Sequence, residues 1–139
     1  MKKLLIAAFI FVSTFTTNTF AEVKMGIILG FTGPIESLTP AMAASAELAF
    51  KEASDSGLLL NGETISVVRA DSTCVDAAAA QAAAESVISQ GVAAIMGADC
   101  SGVTTAIASN VAVPNGVVMI SPSATSPGLT DLADKGFFF

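Results

Sequence analysis

The chain has no histidine among its 139 residues and only two cysteines, Cys74 and Cys100. Without histidine, neither a Ser-His-Asp nor a Cys-His arrangement can be assembled from these residues, and zinc loses its usual nitrogen ligand. The phosphate-binding pattern G-x-x-x-x-G-K is also missing, and Gly26, Gly30 and Gly33 lack the spacing of a dinucleotide-binding loop. We therefore find no catalytic set and predict no metal ion and no cofactor.

Basic residues are scarce, with six lysines and arginines against twelve acidic residues and a formal net charge of -6. Without residues 1–21, which include two of the lysines, four basic residues remain and the net charge is -8. An acidic surface without a basic cluster argues against nucleic acid or an anionic membrane as the partner.

Residues 1–21 have the pattern of a secretory signal peptide. Two lysines follow Met1, an apolar run at residues 4–12 is too short to span a bilayer, and Thr19 and Ala21 place small residues three and one before a cleavage point. Polar residues between positions 13 and 18 argue against a buried or membrane-anchoring helix. We predict cleavage after Ala21 and export of the protein.

Apolar runs alternate with helical patterns along residues 22–139. The predicted strands are mostly apolar and lie at residues 23–29, 64–70, 92–96 and 116–120. The predicted helices have apolar residues at helical spacing and lie at residues 39–55, 77–90 and 101–112. Strands joined by helices run parallel to each other. The predicted fold is α/β, an open parallel sheet with helices on both faces.

The first predicted helix has a recognisable start and one candidate ion pair. Thr39 is placed as an N-cap, with Pro40 at the first helical position. Glu47 and Lys51 lie one turn apart, so we expect their charges to support the helix.

The ligand crevice of an open parallel sheet lies outside the carboxyl ends of its strands. Short polar segments with glycine or proline occupy those ends, at residues 30–33, 71–74, 97–102 and 121–125. Three acids lie in or beside these segments, and we expect capping or solvated roles for Asp71, Asp76 and Asp99. We predict a ligand site along this edge.

Two hydroxyl residues at this edge fit the binding of an anion. Ser101 at the start of the third helix and Thr125 after the fourth strand can each offer an O–H and a backbone N–H to one carboxylate. Free N–H groups at the helix start would add to this. Two other interpretations fit equally well: Ser101 caps its helix, and residues 121–126 form an ordinary Ser/Pro turn.

The two cysteines follow the second and third predicted strands. In an exported chain an even number of cysteines favours a disulfide over a redox or metal site. We predict a disulfide between Cys74 and Cys100 that holds the two strand-end loops together.

Three phenylalanines end the sequence, at residues 137–139 directly after Gly136. This pattern indicates the opening of a buried strand. We therefore expect the sequence to be a fragment of a longer protein.

Four segments resemble, in order, the landmarks of the substrate-binding proteins of branched-chain amino acid ABC transporters. They are ILGFTGP at residues 28–34, DSTC at 71–74, GADCS at 97–101 and MISPSATSP at 119–127, and the last is the most specific. The resemblance implies a type I periplasmic binding protein, in which two hinged α/β lobes close on an amino acid and then dock on a membrane permease. Residues 22–139 would be part of its amino-terminal lobe.

The resemblance also implies roles for individual residues. Ser101 and Thr125 would bind the α-carboxylate of the ligand, and the backbone carbonyl of Ser123 would accept from its α-ammonium. The pair Cys74 and Cys100 would match the disulfide of the leucine-type members. Leu38 stands near the position where those members carry an aromatic residue, so the expected ligands include another aliphatic amino acid, a polar or amide amino acid, and another small carboxylate.

The leading hypothesis is a non-enzymatic solute-binding component of an ABC importer in the periplasm. Its partners would be an amino acid and a membrane permease, and no nucleic acid. One alternative is a ligand-sensing receptor domain of the same fold. A less favoured alternative is an exported α/β hydrolase, which would need a histidine and a nucleophile from another part of the protein.

Overall fold

The computed structural model describes residues 22–59 and 62–139. The predicted signal peptide, residues 1–21, lies outside the described residues. In chain order, the strands and helices are β1 (Glu22–Leu29), α1 (Thr39–Asp55), β2 (Thr64–Asp71), α2 (Ala77–Ser89), β3 (Ala94–Gly97), α3 (Ser101–Ile107) and β4 (Val118–Ile120). A π-helical segment, Ala108–Ala112, continues α3, and a short 3-10 helix covers Pro127–Leu129.

The four strands form one parallel sheet in the order β2-β1-β3-β4, as the alternation of strands and helices predicts. Central strand β1 pairs with both neighbours, so that Ile28 lies beside Ala70 of β2 and Gly97 of β3. From β1 the chain adds β2 on one side of the sheet and then β3 and β4 on the other, so the strand order switches between β1 and β3. The loops that follow these two strands therefore flank the crevice. Phe138 forms a parallel bridge with Met119 of β4, which confirms the predicted start of another strand.

The side chains of β1 alternate between two apolar layers. Ile28 belongs to a cluster with α2, α3 and the π-helical segment, whereas Ile27 and Leu29 pack with Ala43 of α1 on the other face. The prediction of helices on both faces is confirmed. Among the helices of the described residues, none is both long and apolar enough to cross a membrane.

The helix starts differ from one another in how they are capped. Asp76 caps α2, since its Oδ1 accepts from the backbone N–H groups of Ala78 and Ala79 at 2.9 and 3.0 Å, as predicted. The prediction that Thr39 caps α1 is wrong. Its buried hydroxyl donates instead to the backbone carbonyl of Gly30 at 3.0 Å, because the chain folds back over the end of β1.

The predicted pair of Glu47 and Lys51 is also wrong. Glu47 accepts two hydrogen bonds from Arg69 of β2, at 2.5 Å from Nε and 2.7 Å from Nη2, and Lys51 pairs with Asp55. A two-bond contact with a guanidinium is better directed than a contact with an ammonium one helical turn away. The pair therefore ties α1 to edge strand β2.

Candidate functional site

Four loops meet at the carboxyl end of the sheet, as the fold predicts. We call them loop 1 (residues 30–38), loop 2 (72–76), loop 3 (98–100) and loop 4 (121–126). Hydrogen bonds and one disulfide connect each loop to at least one other.

Loop 4 is fastened to loop 3 by serine hydroxyls. Ser121 donates to the carbonyl of Ala98 at 2.5 Å, and Ser123 donates to the carbonyl of Asp99 at 3.0 Å. The Ser121 oxygen also accepts from the N–H of Ala124 at 2.9 Å. Residues 121–126 are therefore more than an ordinary Ser/Pro turn, because their side chains fix the turn against the neighbouring strand end.

The hydroxyl of Ser101 connects α3 to loop 4. Its oxygen accepts from the backbone N–H groups of Thr125 at 3.0 Å and Ser126 at 3.1 Å. The alternative that Ser101 caps its helix is wrong, since Cys100 holds the N-cap position and makes no side-chain cap bond. The expectation that the Thr125 N–H is free for a ligand is also wrong, because this group already serves Ser101.

Several hydrogen-bonding groups at this junction have no partner in the described residues. A hydroxyl has two acceptor positions and one donor, so Ser101 has its O–H left to donate. Thr125 is exposed, and its hydroxyl has no partner within residues 22–59 and 62–139. Within the same ranges the backbone carbonyl of Ser123 accepts no hydrogen bond. The junction thus offers the O–H groups of Ser101 and Thr125 beside one carbonyl acceptor. As predicted, N–H groups at the start of α3 are also free, since those of Gly102 and Val103 have no acceptor within the described ranges.

Asp99 lies beneath this junction with only 3% of its surface exposed. Its Oδ2 accepts from the N–H of Gly30 at 2.7 Å, and its Oδ1 accepts from the Ser72 hydroxyl at 3.2 Å and the Cys100 N–H at 3.0 Å. The predicted capping or solvated role is therefore wrong for this residue. Its position two residues after β3 and directly before half-cystine Cys100 is a sequence signal consistent with burial.

The predicted disulfide joins Cys74 of loop 2 to Cys100 of loop 3, with their Cα atoms 5.2 Å apart. It places loop 2 beside Ser101, which directly follows Cys100. Successive residues Thr73 and Cys74 have φ angles of 57° and 69°, a left-handed conformation that non-glycine residues seldom adopt. Loop 2 is therefore held in an uncommon backbone shape at this bond.

Leu38 lies at the end of loop 1, where it precedes α1 with 60% of its surface exposed. The structure thus places it at the strand-end edge, and its contact with a ligand stays a prediction. Within the described ranges no group of three potential metal-ligating side chains is close enough to hold an ion.

Asp71, the last residue of β2, holds loop 1 in place by hydrogen bonds to Thr32. Its carboxylate accepts from the hydroxyl of Thr32 at 2.5 Å and from the N–H of Thr73 at 2.8 Å. Burial raises the pKa of Asp71, but the hydrogen bonds from Thr32 and Thr73 outweigh burial and leave the pKa below its usual value. A lowered carboxyl pKa stabilises the fold above the unfolded-state value, about 4, and this contribution is lost as the pH falls through the folded-state value.

Substitution of Thr32 by valine should therefore destabilise the protein in a pH-dependent way. Valine keeps the shape of threonine but removes the O–H donor, so we expect a loss of about 1 kcal/mol at neutral pH. The difference from wild type should shrink in acid, as the pH falls through the lowered pKa of Asp71, because the carboxyl is then protonated in both proteins. Urea unfolding of the full-length protein at neutral and at acid pH measures this.

The matched control is Thr64→Val, an exposed position of β2 whose hydroxyl makes no hydrogen bond in the described part of the chain. Its effect should be small and independent of pH. An equal loss for Thr32→Val at both pH values would show that the hydroxyl does not act through the Asp71 charge.

Comparison with known proteins places the chain in a family. The family described as periplasmic binding protein matches residues 22–139, so the chain belongs to the periplasmic binding protein family.

Individual relatives share these residues at moderate identity. The chain is 35% identical to Leu/Ile/Val-binding protein homolog 1 of Brucella abortus, over 86% of this chain and 32% of the relative. It is 30% identical to the Leu/Ile/Val-binding protein of Escherichia coli, over 84% of this chain and 31% of the relative. The branched-chain amino acid transporter substrate-binding protein LivJ of Streptococcus pneumoniae, solved in complex with isoleucine, superposes with a TM-score of 0.74 at 32% identity.

The LivJ match covers 85% of this chain and 33% of the solved structure. The chain therefore spans about a third of the length of these relatives. The predicted α/β fold of the periplasmic binding type is confirmed for the residues that match.

Proposed function

We propose that the full-length protein is the periplasmic solute-binding component of an ABC importer, which captures an amino acid or a similar small carboxylate by closure of two lobes. The observation that carries this proposal is the hydrogen bonding of Ser101. Loop 4 occupies both acceptor positions of its hydroxyl, so only the O–H donor is left. A carboxylate suits this donor, because an ionised carboxylate only accepts hydrogen bonds.

Each residue at the junction has a role in this proposal. Ser101 and Thr125 donate their hydroxyl hydrogens to the ligand carboxylate, and the carbonyl of Ser123 accepts from its ammonium group. Leu38 contacts the ligand side chain from loop 1. Residues 22–139 form part of the amino-terminal lobe, and a second lobe supplies the remaining contacts.

The comparisons support an amino acid as the ligand, since the relatives are named Leu/Ile/Val-binding proteins and LivJ was solved with isoleucine. They favour import over ligand sensing, and a binding protein over a hydrolase, because these names describe binding proteins and a transporter component. The partner of the loaded protein is then a membrane permease. Export to the periplasm relies on residues 1–21 as the cleaved signal peptide.

The test is a thermal-shift screen of the full-length protein against the twenty proteinogenic L-amino acids and a set of small carboxylates, since a ligand that binds the folded state raises the melting temperature. The strongest binder is then titrated by calorimetry. We expect Ser101→Ala and Thr125→Ala each to weaken binding by about 1.5 to 3 kcal/mol, the range for a hydrogen bond to a charged group. The matching amino alcohol, which lacks the carboxylate, should bind far more weakly than the amino acid.

Ser109→Ala is the matched control, because Ser109 is an exposed serine of the π-helical segment that continues α3. Its affinity should equal that of wild type. A screen without a shift from any amino acid or carboxylate contradicts the proposed function. Unchanged affinity in both hydroxyl variants contradicts the site assignment while leaving the function standing.

A further inference from the structure

Asp99 is the residue at which all four loops meet. Its carboxylate accepts from Gly30 of loop 1, from Ser72 of loop 2 and from Cys100 of loop 3. Its backbone carbonyl accepts from the Ser123 hydroxyl of loop 4. Within residues 22–59 and 62–139 no other residue has hydrogen bonds to all four loops.

We infer that Asp99 is a positioning residue for the proposed ligand site, which sets the hydroxyls of Ser101 and Thr125 before a ligand arrives. This inference rests on the proposed function, since those two hydroxyls are its carboxylate donors. The bond to the Cys100 N–H fixes the residue directly before Ser101. The bond from Ser123 fixes loop 4 two residues before Thr125.

Because Asp99 is buried, breaking its hydrogen bonds to the loops is unfavourable. With 3% of its surface exposed, Asp99 has little access to water, so protein donors have to satisfy its oxygens. A loop that moved away would leave a buried acceptor without a partner, which is unfavourable. The same burial keeps Asp99 out of direct contact with a ligand, so any effect on binding acts through the loops.

Asparagine is the informative substitution because it keeps the size of the side chain. Each oxygen of Asp99 faces a backbone N–H, from Gly30 on one side and Cys100 on the other. In either orientation of the amide, its NH₂ group therefore meets an N–H donor and loses that hydrogen bond. Depending on that orientation, either loop 1 at Gly30 or Cys100, the residue before Ser101, loses its hydrogen bond while the packing is kept.

The experiment measures the affinity of full-length wild type, Asp99→Asn, Ser101→Ala and the double variant. The probes are the twenty proteinogenic L-amino acids and the same small carboxylates, tested singly by thermal shift, and the strongest binder is titrated by calorimetry. We expect Asp99→Asn to raise the Kd about tenfold, because a released loop would leave about a tenth of the molecules with the hydroxyls in place, and the Kd rises by the inverse of that fraction. The double variant should bind within about twofold of Ser101→Ala alone, because residues that act through one another are not additive.

Ser54→Ala controls for general destabilisation. Ser54 accepts from the N–H of Ile65 at 2.8 Å, where β2 begins at the opposite end of the sheet, so this variant should lower the melting temperature without changing the Kd. If Asp99→Asn does not fold, Ser72→Ala decides instead. It removes only the hydroxyl donor to Asp99 and should raise the Kd about threefold.

The outcomes distinguish a failure of this inference from a failure of the proposed function. If wild type binds none of the amino acids and none of the small carboxylates, both are overturned. If wild type binds but Asp99→Asn keeps its affinity, or the single effects multiply in the double variant, the inference alone is overturned. In the Ser72→Ala arm, an unchanged Kd overturns it and a raised Kd supports it.

Discussion

Substitution of Gly97 by alanine is expected to prevent the protein from folding. Gly97 ends β3 with a φ of +137°, and an added Cβ would lie 2.0 Å from the carbonyl oxygen of Ile28 and 2.9 Å from its carbonyl carbon. Those backbone atoms belong to the paired central strand β1 and cannot move aside. We expect a loss of more than about 4 kcal/mol, a value that only severe disruption of a fold reaches. Total stabilities are about 5 to 15 kcal/mol, so little folded protein would remain.

The matched control is Gly57→Ala after α1. Gly57 also has a positive φ, +65°, but an added Cβ would meet no atom within 4 Å. This variant isolates the backbone strain, about 1 to 2 kcal/mol, from the steric contact. Urea unfolding followed by circular dichroism measures both full-length variants. A Gly97→Ala stability within about 1 kcal/mol of Gly57→Ala would show that the strands separate more easily than their pairing indicates.

Loss of the disulfide has the second largest expected effect. Cys74 and Cys100 are 26 residues apart, and closing a loop of this length stabilises the fold by about 3.5 kcal/mol in the chain-entropy estimate. We expect the double variant Cys74→Ala/Cys100→Ala to lose about this amount. Its ligand affinity should fall as well, because Cys100 directly precedes Ser101. Urea unfolding and calorimetry of the full-length protein give the two numbers.

A reducing agent supplies the control in the same experiment. It should lower the urea midpoint of wild type toward that of the double variant and leave the double variant unchanged. Equal midpoints for oxidised and reduced wild type would mean that the bond adds nothing to stability. Two reactive thiols in the unreduced protein would mean that the bond does not form in solution.

Elements that depend on neighbouring residues were predictable from the sequence. The strand predicted at residues 23–29 is observed as Glu22–Leu29, and Asp76 caps α2 as its position before an alanine-rich helix indicates. Both follow from the local pattern of apolar residues and from a short side chain that reaches the N–H groups two and three residues ahead.

Contacts between distant residues were not predictable in the same way. Thr39 looks like a helix cap because its neighbours resemble a helix start, but its buried hydroxyl reaches the carbonyl of Gly30. Asp99 bonds to Gly30 and Ser72, which lie 69 and 27 residues away in sequence. These partners come together only because β1 lies between β2 and β3 in the sheet, a strand order that no local pattern encodes.

The candidate site shows the same division. Its place at a helix start singled out Ser101, the resemblance to a family added Ser123, and the parallel sheet brings their loops to one edge. Whether each hydroxyl donates or accepts a hydrogen bond depends on its partner in a neighbouring loop. Ser101 is an acceptor for loop 4, and Ser123 donates to Asp99. Assigning donors and acceptors therefore required the three-dimensional arrangement.

The connection of loop 4 to Ser101 has a consequence for the thermodynamics of recognition. Fixing a flexible backbone residue costs about 1 to 2 kcal/mol in conformational entropy. The N–H groups of Thr125 and Ser126 are already bonded to Ser101, so this ordering takes place when the protein folds and not when a ligand binds. The cost of ordering loop 4 is then not subtracted from the interaction energy between the ligand and this lobe, so the affinity for the ligand is higher.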